Sequence, residues 1–145
     1  MGYRRIVVAV SEKPEGLYAV EVAARIAAAS GARLVIYHAV DVGAIPFPPD
    51  SPQFLEALRA LRERAWQVLN VAEAIALNMG VRDVAKVKLE GDPVEGLWEV
   101  LRREGAPDLI VIGRPRGRLG PLIGSRAVRI LRGSSVSVLV AGRRL

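Results

Sequence analysis

Cysteine is missing from all 145 residues, and histidine occurs once, as His38. The first absence excludes disulfides, thiolate metal sites and a cysteine nucleophile, and it fits a cytoplasmic protein. The second excludes a multi-histidine metal site within one chain. Aromatic residues make up only 5% of the chain against 51% hydrophobic residues. The core must therefore be built from Val, Leu, Ile and Ala, as suits a sheet buried on both faces. No apolar run reaches the roughly 20 residues that span a bilayer. Residues 1–10 lead directly into a strand-like segment without the cleavable pattern of a signal peptide. The expectation is a cytoplasmic protein with no membrane partner.

What the chain does have is positive charge, +6 at neutral pH with a pI near 10.5. Such a balance suits an anionic partner, and it equally suits arginines spread over solvent-facing helices. At 15.6 kDa the length fits one domain, residues 1–145, since two independent cores would be hard to bury.

Strand and helix patterns alternate from end to end, which predicts an α/β sheet with crossover helices. Residues 5–10 (RIVVAV), 33–40 (RLVIYHAV), 84–89, 108–112 (DLIVI) and 137–141 read as five strands. Residues 15–29, 52–79, 94–103 and 125–132 read as helices. The longest carries Phe54, Leu58, Leu61, Ala65, Val68, Ala72, Ile75 and Met79 in one continuous core-facing stripe. Ser30-Gly31 and Gly80 close two helices, and Asp92-Pro93 opens another as N-cap and first helical residue. Residues 41–52 hold four prolines without a period and read as a loop. The predicted fold is a doubly wound, five-stranded parallel sheet in order 3-2-1-4-5, with helices on both faces.

In such a sheet ligands bind beyond the carboxyl ends of the strands, where the winding reverses. The loop after the fourth strand reads GRPRGRLGPLIGS over residues 113–125. Glycines let backbone N–H groups approach an anion, a helix starting near Ser125 offers unpaired N–H groups, and Arg114, Arg116 and Arg118 add charge. The same residues also suit plain turns, a helix cap and a solvated surface. The segment is neither a Walker A loop nor a GxGxxG fingerprint.

The order of elements and several landmarks together resemble the universal stress protein family over the whole chain. These are IVVAV at residues 6–10, His38-Ala39-Val40-Asp41, Glu90-Gly91-Asp92-Pro93, DLIVIG at 108–113, Gly124-Ser125 and VSVLV at 136–140. Members that bind ATP carry Gly-x2-Gly-x9-Gly-Ser/Thr after the fourth strand. Here three residues separate Gly113 from Gly117 and six separate Gly117 from Gly124. The family's aspartate at the end of the first strand, which contacts ribose, is matched by Ser11. The resemblance implies that Ala9 and Ser11 line the ribose and that Ala39 offers backbone contacts to adenine. Gly113, Gly117, Gly124, Ser125 and Arg126 would then surround the phosphates. It also implies a homodimer, and the apolar closing strand at 136–140, an expected sheet edge, is a natural place for it.

His38, Asp41 and a serine do not make a hydrolase triad. No Gly-x-Ser-x-Gly elbow exists, and His38 lies inside an apolar strand, where a hydrogen-bonded core histidine is expected. Asp92 and Glu95 read as helix-start carboxylates rather than a metal pair. Trp66 and Trp98 are expected to pack against the sheet. The leading expectation is a dimeric, nucleotide-responsive stress protein taking ATP, AMP or another adenine nucleotide, with Mg²⁺ on the phosphates. Hydrolysis would at most be slow, because no general base is nominated. A nucleotide-free dimeric scaffold stands as the alternative. A polyanion or nucleic-acid partner held by the arginine loop is the third reading, and nucleic acid is not the expected partner.

Overall fold

The computed structural model describes residues 2–11, 13–114 and 125–142. Its elements in chain order are β1 (Arg5–Ala9), α1 (Pro14–Ser30), β2 (Arg33–Val40), a 3-10 turn (Val42–Ala44), α2 (Pro52–Asn78), β3 (Val84–Glu90), α3 (Pro93–Glu104), β4 (Leu109–Gly113), α4 (Ser125–Gly133) and β5 (Ser137–Ala141). All five strands are parallel in the order β3-β2-β1-β4-β5. The predicted elements and their spatial order are those found. The 3-10 turn inside the proline-rich loop is an addition that the missing periodicity concealed.

Proline at the first helical position starts α1, α2 and α3. Its fixed φ suits the helix, and its missing N–H is one the first turn leaves unpaired anyway. The Ser51 hydroxyl accepts from the Phe54 N–H at 3.2 Å, and the Asp92 carboxylate accepts from the Val94 N–H at 3.3 Å. Gly31 closes α1 with φ of 69°, a left-handed conformation that a side chain would strain.

Alternation along the strands divides the core. Ile6, Val8, Leu34, Ile36, Leu109 and Val111 point to the face covered by α1 and α2. Val7, Val35, Tyr37, Ile110 and Ile112 point to the face covered by α3 and α4. Both sets are apolar because both faces are covered, which is why the strands read as unbroken runs. The long stripe of α2 is borne out at Leu58, Ala65, Val68 and Ala72, all buried, and Leu69 and Ala76 join them.

One expectation fails. Trp98 packs on the α3–α4 side of the core, but Trp66 is 46% exposed on α2, with the Lys88 ammonium 5.9 Å from its ring centroid. Trp66 lies outside the buried stripe of α2, so its ring lies over a lysine of edge strand β3 instead of the sheet.

Beside that edge, Arg62 donates through Nε and Nη2 to the two oxygens of Glu90, at 2.7 and 2.9 Å. That fork holds the Glu90 carboxyl at about 2, against an ordinary 4.5. A depressed acid stabilises the fold above its unfolded pKa, and the benefit is lost as pH falls from about 4.5 through about 2. Glu90→Gln is therefore expected to cost ~0.2–1 kcal/mol at neutral pH, as solvent-screened pairs do. In urea titrations the wild-type and variant stabilities should converge by pH 2.

Candidate functional site

A cavity of about 460 Å³ opens at the carboxyl end of the sheet. It lies over β1 and β4, where the winding reverses: from β1 the chain first builds outward through β2 and β3, then returns to place β4 on the other side. Six of the sequence-nominated residues line it: Ala9, Ser11, Ala39, Gly113, Ser125 and Arg126. The parallel register explains the meeting, since Ala9 pairs with Tyr37 on one side and with Ile112 on the other. Gly117 and Gly124, together with Arg116 and Arg118, lie outside the described residues.

The lining is part apolar and part polar. Pro93, Val94 and Leu97 of α3 and Ala127 and Ile130 of α4 supply apolar surface. Lys13, Glu15 and the first turn of α4, whose N–H groups have no earlier carbonyl of the helix to bond, line it as well. That combination offers apolar surface for a ring and an N-terminal helix end for an anion.

Two ion pairs tether α4 above the cavity. Arg126 donates from Nη2 to Asp41 at 2.7 Å, joining α4 to the segment after β2. Arg129 donates to both oxygens of Asp92, at 3.3 and 2.6 Å. The Arg129 hydrogen bond is the main cause, with the Val94 N–H adding to it, of an Asp92 carboxyl held below the ordinary range. Asp92 therefore caps α3 and also ties α3 to α4. Glu95 is only peripheral to this pair, 4.0 Å from Arg129. The Arg126 side chain, expected among the phosphates, lines the cavity and is paired with Asp41.

Sequence reasoning missed several wall residues. Tyr37 is buried, and its hydroxyl donates to the Pro93 carbonyl at 2.7 Å. Burial, then the Asp92 charge, push that hydroxyl well above its ordinary range, so it stays a donor. His38 is hydrogen-bonded as expected, with Nδ1 2.7 Å from the Val10 carbonyl, which makes Nδ1 the donor. It is nevertheless a half-buried wall residue rather than part of the core. The alternation of β2 sends Tyr37 to the cavity side, a signal that the sequence did contain. Gly16 left only a faint one, a glycine in the first turn of α1. A Cβ there would meet the Ser11 backbone nitrogen at 2.5 Å and its carbonyl oxygen at 2.7 Å. Ser11 and α1 sit in contact because that carbon is absent.

Comparison with known proteins agrees with this architecture. The family model described as the universal stress protein family matches residues 2–142. The "Universal stress protein in QAH/OAS sulfhydrylase 3'region" of Thermus aquaticus is 35% identical over 140 residues, covering 95% of this chain and 98% of the relative. A universal stress protein crystallised in complex with cAMP is 28% identical, with a TM-score of 0.74 and 98% of both chains covered. The universal stress protein UspA from Lactobacillus plantarum shares the fold at a TM-score of 0.84, with 21% identity over 97% of this chain and 98% of its own. By its sequence match across nearly its whole length, and by the five-stranded sheet that carries it, this chain belongs to the universal stress protein family.

Proposed function

We propose that the protein is a cytoplasmic, dimeric regulator that binds an adenine nucleotide in the cavity over β1 and β4. The observation that carries this reading is the meeting of apolar surface with the α4 N-terminus at the winding reversal. The relative that holds cAMP supports the ligand class. In this reading Ala9 and Ser11 lie along the ribose, and Ala39 offers backbone groups to the base. Gly113 and Ser125 take the phosphate end, where Arg126 exchanges its Asp41 partner for the ligand. ATP and AMP are both candidates. Among the described residues no three His, Cys, Asp or Glu side chains cluster to hold a metal, so Mg²⁺ would ride on phosphate oxygens and water.

The dimer reading rests on β5, which pairs only with β4 among the described strands and leaves its other edge for a second copy. A nucleotide-free scaffold is the second reading, favoured by the neutralisation of Arg126 by Asp41.

Ser125→Asp separates the two. A carboxylate in the first turn of α4 suits the helix, so folding should be unaffected. Placed against a phosphate it costs several kcal/mol, about 100-fold or more in affinity. Calorimetric titration with ATP, AMP and cyclic AMP should give saturable heats with wild type that vanish in the variant. No heat from wild type with any of the three would leave the scaffold reading standing.

A further inference from the structure

A second cavity, of about 450 Å³, lies on the other side of the strand ends from the α3 wall. Its walls come from the end of β2 and the segment after it, the connection between β1 and α1, and the first half of α2. Ala57, Ala60, Leu61 and Arg64 follow one another at steps of three, one and three, which places them on a single helical face. That face adjoins the buried stripe, since Leu61 packs against Leu58 and Ala65. Ile45 and Pro46 close the cavity from the loop, and the small side chains of Ala57 and Ala60 leave the space between loop and helix unfilled. Phe47, next in the chain to Pro46, is exposed.

Three charged groups line this cavity: Lys13, Arg64 and Asp41. Asp41 is already paired, with Arg126 at 2.7 Å. The Lys13 and Arg64 side chains have no hydrogen-bond or ion-pair partner among the described residues. Arg62, two residues from Arg64 on the same helix, is by contrast forked onto Glu90. A mostly apolar recess with two cations that have no side-chain partner among the described residues, and one neutralised acid, selects a particular chemistry. Its complement is an apolar body carrying a single anionic head, since the body removes apolar wall from water and the head meets a cation.

We propose that this second cavity binds an amphipathic monoanion, a carboxylate on a flexible apolar chain. Its chain lies against Ile45, Pro46, Ala57, Ala60 and Leu61, and its head is held by Lys13 and Arg64. The site shares the wall of Ser11, Lys13, His38 and Ala39 with the first cavity, so it is tested on nucleotide-free protein.

Decanoate below its micelle concentration is the probe, with decanol as the neutral counterpart, in calorimetric titration of the purified protein. Wild type should bind decanoate saturably and at least tenfold more tightly than decanol. Ala60→Trp fills the recess from an exposed position that the fold tolerates, and should weaken decanoate tenfold or more. Arg64→Gln and Lys13→Gln should each weaken it several-fold while leaving decanol unchanged. Ser125→Asp, which acts only on the first cavity, should bind decanoate as wild type does. Absence of saturable decanoate binding would overturn the proposal, and so would equal affinity for decanol or full affinity in Ala60→Trp. Read on nucleotide-free protein, these results do not depend on whether the nucleotide reading holds.

Discussion

Tyr37→Ala is expected to lower the free energy of unfolding by about 3–5 kcal/mol, the usual loss when a buried aromatic is truncated to alanine. Tyr37 is among the largest fully buried side chains, 2% exposed, and it lies between β1 and β3 in the sheet. The ring packs with the cluster that includes Val94 and Leu97, so its removal leaves a hole under α3. Tyr37→Phe dissects the effect. It keeps the ring and removes only the hydrogen bond to Pro93, at a cost of ~0.5–1.5 kcal/mol. The hydroxyl is also tightly enclosed: a Cβ built on Gly96 would collide with it. Urea denaturation of the three proteins reads both numbers. A Tyr37→Ala loss below 1 kcal/mol would mean that α3 collapses onto the sheet without it.

Gly113→Ala is expected to cost about 1–3 kcal/mol, the range of forced overpacking. A Cβ at Gly113 would stand 2.5 Å from the carbonyl oxygen of Glu15, 2.9 Å from its carbon and 3.3 Å from the Gly16 nitrogen. All three are backbone atoms, which cannot swing aside as a side chain does. The start of α1 must therefore move away from β4. Because Glu15, Gly16 and Gly113 all line the first cavity, the same shift should weaken nucleotide binding. Gly43→Ala is the control, since its Cβ would meet nothing nearer than the Asp41 carboxylate at 3.6 Å. Thermal melts should place Gly113→Ala well below wild type and Gly43→Ala close to it. An unchanged melting temperature for Gly113→Ala would show that the α1–β4 approach has slack.

Much of this was legible in the residues. The five strands announced themselves as aliphatic runs, because both faces of a parallel sheet are buried and neither needs polar residues. Helix starts were marked by Pro14, Pro52 and Pro93, and the ends by Gly31 and Gly80, through local backbone preferences that need no tertiary partner. Gly113 and Ser125 were nominated from the glycine-rich loop and the helix start, whereas Ala9, Ser11 and Ala39 were named only through the family resemblance; all five line the first cavity.

What stayed hidden depends on distances between elements far apart in the chain. The Arg126–Asp41 pair joins residues 85 apart, and nothing in either neighbourhood names the other. Trp66 was expected to pack against the sheet, whereas its ring lies near the Lys88 ammonium. The second cavity exists because two alanines of α2 happen to face a loop, and in the sequence they are only two helix-forming residues.

The sequence by itself determined the alternation of strand and helix and the face that the strand residues take. These follow from backbone preference and from periods of 2 and 3.6 residues. Only the tertiary structure decided which charges are spent on one another, where Gly16 and Gly113 let backbones touch, and how two cavities come to share a wall. Each of those is a matter of ångströms between separate elements, set by packing rather than by local pattern.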